Sequence, residues 1–102
     1  MACNCCKCCK LVSVSSIAVV GGITTLTIPP EIVPSDGENI CLGLFLNIPA
    51  GTNGTAVNVT NGTTTWTIYN KIANWWRPCC GLKSRTILKL KYYNDPAHLI
   101  LR

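Results

Sequence analysis

Apolar and polar residues alternate with a period of two over much of this chain, which is the pattern of strands with one face buried and one wetted. It is clearest around TAVNVT-NG-TTTWTIY, residues 55–69. Asn61-Gly62 between two alternating runs predicts a hairpin on a type I′ turn, which needs φ > 0 at both central residues. A two-residue turn would set Val59 opposite Thr64, Val57 opposite Trp66 and Thr55 opposite Ile68. Val57, Val59, Trp66 and Ile68 then share an apolar face, and Asn58, Thr60, Thr63, Thr65 and Thr67 share a polar one.

The same reading extends in both directions. LVSVSSIAVVGGITTLTI, residues 11–28, carries no charge. Its serines, threonines, β-branched residues and central Gly21-Gly22 predict two strands, about 11–20 and 23–28, in place of a transmembrane helix or a signal peptide. Pro29-Pro30, Pro34 and SDGE at 35–38 form a turn-rich connection. ICLGLFLNI, residues 40–48, is a short continuous apolar run and predicts a strand buried on both faces at the centre of the core. RTILKLKYY, residues 85–93, predicts a strand with Leu88, Leu90 and Tyr92 on one face and Ile87, Lys89, Lys91 and Tyr93 on the other. Asn94-Asp95-Pro96 turns the chain into a last strand, AHLIL. The expected fold is all-β, a small antiparallel β-sandwich or barrel of six or seven strands spanning residues 11–102 as one domain. A Cys-rich N-terminal arm, residues 1–10, precedes it.

Composition narrows the function classes. In 102 residues only 13% are charged, so disorder is not expected and some apolar surface is expected to meet a partner. The net charge of +5 is uneven: Lys71, Arg77, Lys83, Arg85, Lys89, Lys91 and Arg102 load the last third, where they could face a polyanion or simply solvate the outer strands. Four acids and a single histidine supply no catalytic constellation, and no enzyme activity or small-molecule substrate is expected. His98, in an apolar tail, reads as a satisfied, partly buried histidine. Asn53, Asn58 and Asn61 each open an N-x-T sequon, and are assigned to turn and strand chemistry.

Of the eight cysteines, five crowd the first nine residues, and cross-links there would close almost no loop. Most are expected as thiols. Cys3/Cys6, Cys5/Cys8 and Cys6/Cys9 have the C-x-x-C spacing of zinc ligands, and with PCCG at 78–81 they give one candidate metal set: Cys3, Cys6, Cys9 and Cys80, for zinc. The second clean C-x-x-C pair of a zinc ribbon is missing, and adjacent cysteines are expected to point apart, so the primary expectation is no cofactor. Trp75 and Trp76, adjacent, cannot both face inward on a strand, and a surface tryptophan beside Arg77 suits an interface.

NGTTTWTIYNKIANWW, followed by KLKYYNDPAHLIL, resembles small β-rich structural proteins of tailed phages and prophages of Gram-positive gut bacteria. The likeness covers the last half of the chain; Cys3 to Cys9 and the double tryptophan have no counterpart in it. It implies a virion protein that decorates the outside of the capsid, made in the host bacterial cytoplasm. The expected partner is a major capsid protein or another virion protein, with self-association allowed. Trp75, Trp76 and Arg77, together with Leu11, Val12 and Val14 as an added strand, are the candidate partner-binding residues. Nucleic acid and membrane are not expected partners. The two rival readings are a zinc module touching nucleic acid through Lys83, Arg85, Lys89 and Lys91, and an acylated membrane-associated protein.

Overall fold

β-branched and aromatic residues at alternate positions, broken by Gly and Pro, give the described residues strands to pair and no helix among them. A computed structural model describes residues 10–72, 74–94 and 96–102. Within them the strands are β1 (Lys10–Ser13), β2 (Ser16–Val20), β3 (Ile23–Thr27), β4 (Asn39–Leu44), β5 (Ala56–Thr60), β6 (Thr65–Tyr69), β7 (Thr86–Asn94) and β8 (Ala97–Leu101). They form one curled sheet in the order β1-β4-β7-β8-β6-β5-β3-β2, a half-barrel. The described residues thus carry eight strands where the sequence pattern suggested six or seven.

The sheet is mixed, and this corrects the antiparallel expectation. β1/β4, β3/β5 and β6/β8 run parallel, while the other four pairings are antiparallel. Alternation reports which face a residue takes and says nothing of strand direction, so long connections such as 28–38 and 70–85 were free to return the chain in parallel.

The two edge strands are consecutive in sequence. The expected strand over 11–20 breaks at Val14-Ser15, where two successive N–H groups reach opposite ends of the sheet. Val14 N–H donates to Gly43 O at 3.0 Å, beside β4, and Ser15 N–H donates to Thr27 O at 2.7 Å, at the end of β3. One bent segment therefore ties both margins of the half-barrel together and satisfies its own backbone in doing so.

The core lies inside the curl: Val12, Val14, Leu26, Ile28, Ile40, Leu42, Leu44, Val57, Val59, Trp66, Ile68, Leu90, Tyr92 and Leu99. Trp66 meets Tyr92 edge to face with ring centroids 6.1 Å apart. As expected, Val57, Val59, Trp66 and Ile68 are all buried, and Leu90 and Tyr92 point inward from β7. The 40–48 run holds a strand buried on both faces only as far as Leu44, because Phe45 turns outward over Gly43.

The hairpin turn differs from the expected one. Val59 pairs with Trp66 and Thr60 with Thr65, a shift of two residues along β6. Gly62 alone takes a positive φ, 93°, and Asn61 does not. The Asn61 side chain builds the loop instead: Oδ1 accepts from Thr63 N at 3.0 Å and Thr64 N at 2.8 Å, and Nδ2 donates to Ile32 O at 2.9 Å. A shift of two preserves the faces, so the apolar set stays inside. The tight turn with φ > 0 at both centres lies at Gly21 (59°) and Gly22 (78°), joining Val20 to its partner Ile23.

Candidate binding face

The outer face of β6, β7 and β8 collects the aromatic and basic side chains that alternation excludes from the core. Tyr69 ends β6, opposite Ile100 on β8, and Tyr93 on β7 lies opposite His98. His98 meets Tyr69 edge-on at 5.5 Å and stacks on Tyr93 at 5.5 Å, with 21° between the planes. Its Nδ1 bonds Pro96 O; a carbonyl can only accept, so Nδ1 carries a proton. The expected satisfied, partly buried histidine is what stands there. Lys91 Nζ lies 5.7 Å from the Tyr93 ring centroid.

Beyond Tyr69, Asn70 organises the next turn. Its Oδ1 accepts from Ile72 N at 2.9 Å and from Asn74 N at 3.1 Å, and its own N–H donates to Asn74 O at 2.8 Å. This returns the chain along the end of β6, where Trp75 bridges Tyr69 and Trp76 N–H donates to Ile68 O at 2.9 Å. The strand-like step sends adjacent tryptophans to opposite sides. Trp76 packs against the core, and Trp75 is 53% exposed. The Arg77 guanidinium carbon sits 5.8 Å from the Trp75 ring centroid.

Three hollows line this face. An open one of 390 Å³ is walled by Tyr69, Asn74, Trp75 and Arg77. A smaller one, 240 Å³, is lined by Tyr69, Pro96, His98 and Ile100, and a third, 130 Å³, includes Asn58, Thr67 and Trp75. Sharing Tyr69 and Trp75, they form one continuous surface. The sequence pointed to Trp75 and Arg77 but missed Tyr69, Tyr93 and His98 as their neighbours. The outward position of Tyr93 was readable; the parallel pairing of β6 with β8, which brings His98 beside Tyr69, was not.

The other candidate binding residues fall elsewhere. Val12 and Val14 are buried in the chain's own core, and β1 is an edge strand paired on one side with β4. Leu11 is exposed. Lys89 and Lys91 share the outer face, whereas Lys83 and Arg85 lie in the exposed turn before β7. Asn61, buried and bonded through both side-chain atoms, cannot carry a glycan in this fold.

Of the candidate zinc set, Cys3, Cys6 and Cys9 lie outside the described residues. Among the described residues no group of three or more His, Cys, Asp or Glu could hold a metal ion. Cys80 is exposed beside Cys79, and the two Sγ atoms are 3.4 Å apart, not splayed as expected of neighbours. The hydrogen bond to Cys80 and then its charge raise the Cys79 thiol above its ordinary value. Cys41, buried on β4, is disulfide-bonded. Residues 11–28 hold strands, three where two were expected, and no helix among the described residues is long and apolar enough to cross a membrane. No protein-family model, curated protein or solved structure matches this chain.

Proposed function

We propose that this chain is a non-enzymatic structural protein of a phage virion, decorating the outer shell and docking on the major capsid protein through the face centred on Trp75. The supporting observation is the presentation of Trp75, 53% exposed yet held by its bridge to Tyr69 and by the Arg77 guanidinium over its ring. Trp, Tyr and Arg dominate binding energy at interfaces, and a side chain already fixed loses little freedom on docking. Asn58, Thr67 and Asn74 around it supply the polar rim such a contact needs. On a symmetric shell many weak contacts act together, and binding to the assembled lattice stabilises it by mass action. The experiment is co-purification: the chain should travel with intact particles at a copy number in simple ratio to the shell protein. Its absence from purified particles would remove this reading.

Lys91 over Tyr93, with Lys89 on the same face, gives some support to a second reading, a stacking platform for single-stranded nucleic acid. That reading requires affinity falling steeply with salt, which an apolar tryptophan anchor does not.

A further inference from the structure

The adjacent thiols of Cys79 and Cys80 line none of the three hollows of the docking face and take no part in the core. Both are exposed, and the turn carrying them is anchored from below. Pro78 is buried, and its carbonyl accepts from Gly81 N at 3.3 Å and from Gly54 N at 2.7 Å. Leu82 N–H donates to Thr52 Oγ1 at 2.9 Å. Gly81 takes φ +80°, and a Cβ there would come within 2.8 Å of Thr52 Oγ1, so the turn cannot readily shift.

We infer that Cys79 and Cys80 form a two-thiol chelate for a soft, thiophilic ion of the trivalent-arsenic class. The spacing of the sulfurs selects among the chemistries open to a dithiol. Neighbouring Cα atoms are at most about 3.8 Å apart, short of the roughly 4.4–6.8 Å usual across a disulfide. Direct S–S closure is therefore strained. Tetrahedral zinc with Zn–S bonds of about 2.3 Å spreads two sulfurs to roughly 3.8 Å and needs two further donors. A trivalent arsenic bearing one organic group is pyramidal, with narrower angles that suit the 3.4 Å separation, and two sulfurs complete it. In the reaction of an organoarsenic(III) oxide with the pair, two As–S bonds form while the As=O bond and both S–H bonds break. The oxygen leaves with the two protons as water, arsenic stays trivalent, and no electrons are transferred.

Phenylarsine oxide tests this on the full-length, reduced chain with Cys3, Cys5, Cys6, Cys8 and Cys9 replaced by serine and Cys41 by alanine, so that Cys79 and Cys80 are its two thiols. Intact mass should show one phenylarsenic adduct per chain, resistant to excess monothiol and removed by ethanedithiol. Adding Cys79→Ser or Cys80→Ser should abolish it while circular dichroism stays unchanged, because both side chains are exposed. In the natural sequence, peptide mapping should place one phenylarsenic across Cys79 and Cys80 and none there after either substitution, which keeps the test valid should the substituted chain fold poorly. Absence of an adduct, or an adduct that survives Cys79→Ser, would overturn the inference. Neither result bears on particle binding through Trp75.

Discussion

The hydroxyls of Thr24 and Thr55 lie 2.6 Å apart inside the sheet, joining β3 to the residue that enters β5. Thr55 Oγ1 also donates to Thr52 O at 2.8 Å, which uses its proton, so Thr24 is the donor and Thr55 the acceptor between them. The order of donation makes the two positions unequal. Thr55→Val strands the Thr24 hydroxyl in a fully buried site, at a cost of about 1–3 kcal/mol. Thr24→Val leaves Thr55 still bonded to Thr52 and should cost about 1 kcal/mol or less. The double variant should be more stable than the sum of the two losses, since no hydroxyl is left stranded. Urea titrations of the three variants check this.

Asn61 holds its loop through one acceptor shared by two N–H groups and one donor to Ile32 O. Asn61→Ala removes all three bonds at a buried position and should destabilise by roughly 2–4 kcal/mol, at about 1 kcal/mol for each net bond. Asn61→Asp keeps the acceptor and loses the donor, and should fall between. Denaturant midpoints rank the three; a neutral Asn61→Ala would show that the loop holds without this side chain.

Val14 and Leu11 separate a strand built into the sheet from an arm held out to a partner. Val14 is 5% exposed and Leu11 58%. Val14→Asp places an unpaired charge in the core and should cost about 3 kcal/mol or more. Leu11→Asp should change stability by less than about 0.5 kcal/mol. Equal tolerance of both, measured by thermal melting, would contradict the placement of β1 beside β4.

Trp75→Ala should lower the melting temperature only slightly, because Trp75 is about half exposed and lies outside the core. Its effect should fall on particle binding, weakened about tenfold or more, equivalent to about 1.4 kcal/mol. Arg77→Ala should act in the same direction by less. Sedimentation with shells lacking the protein gives the comparison.

The thiol pair predicts a pH effect. Cys79 is held protonated by its hydrogen bond to Cys80 and then by that neighbour's charge, so less of the reactive thiolate is present at neutral pH. Cys80→Ala removes both causes. Alkylation of Cys79 by iodoacetamide should then be severalfold faster near neutrality, with its rate profile moved to lower pH. An unchanged profile would mean that Cys80 does not set the acidity of Cys79.

Side-chain facing was legible in the residues alone, because a period of two leaves each strand only one way to bury its apolar set. Val57, Val59, Trp66, Ile68, Leu90 and Tyr92 took the expected side even where the hairpin register moved by two. Pairing and direction were not legible. They follow from which backbone edges remain open once other strands are placed, and that is a property of the whole sheet. That Val12 and Val14 pack in the chain's own core was decided by the sheet, with the Val14-Ser15 bend held through Gly43 at one margin and Thr27 at the other. Likewise Gly21-Gly22 and Asn61-Gly62 both read as turns, but only the contact of Asn61 with Ile32, 29 residues away, decided that its side chain would shape the loop. Local chemistry determined which residues avoid water, and long-range hydrogen bonding decided which of the remainder stand together on the outer face.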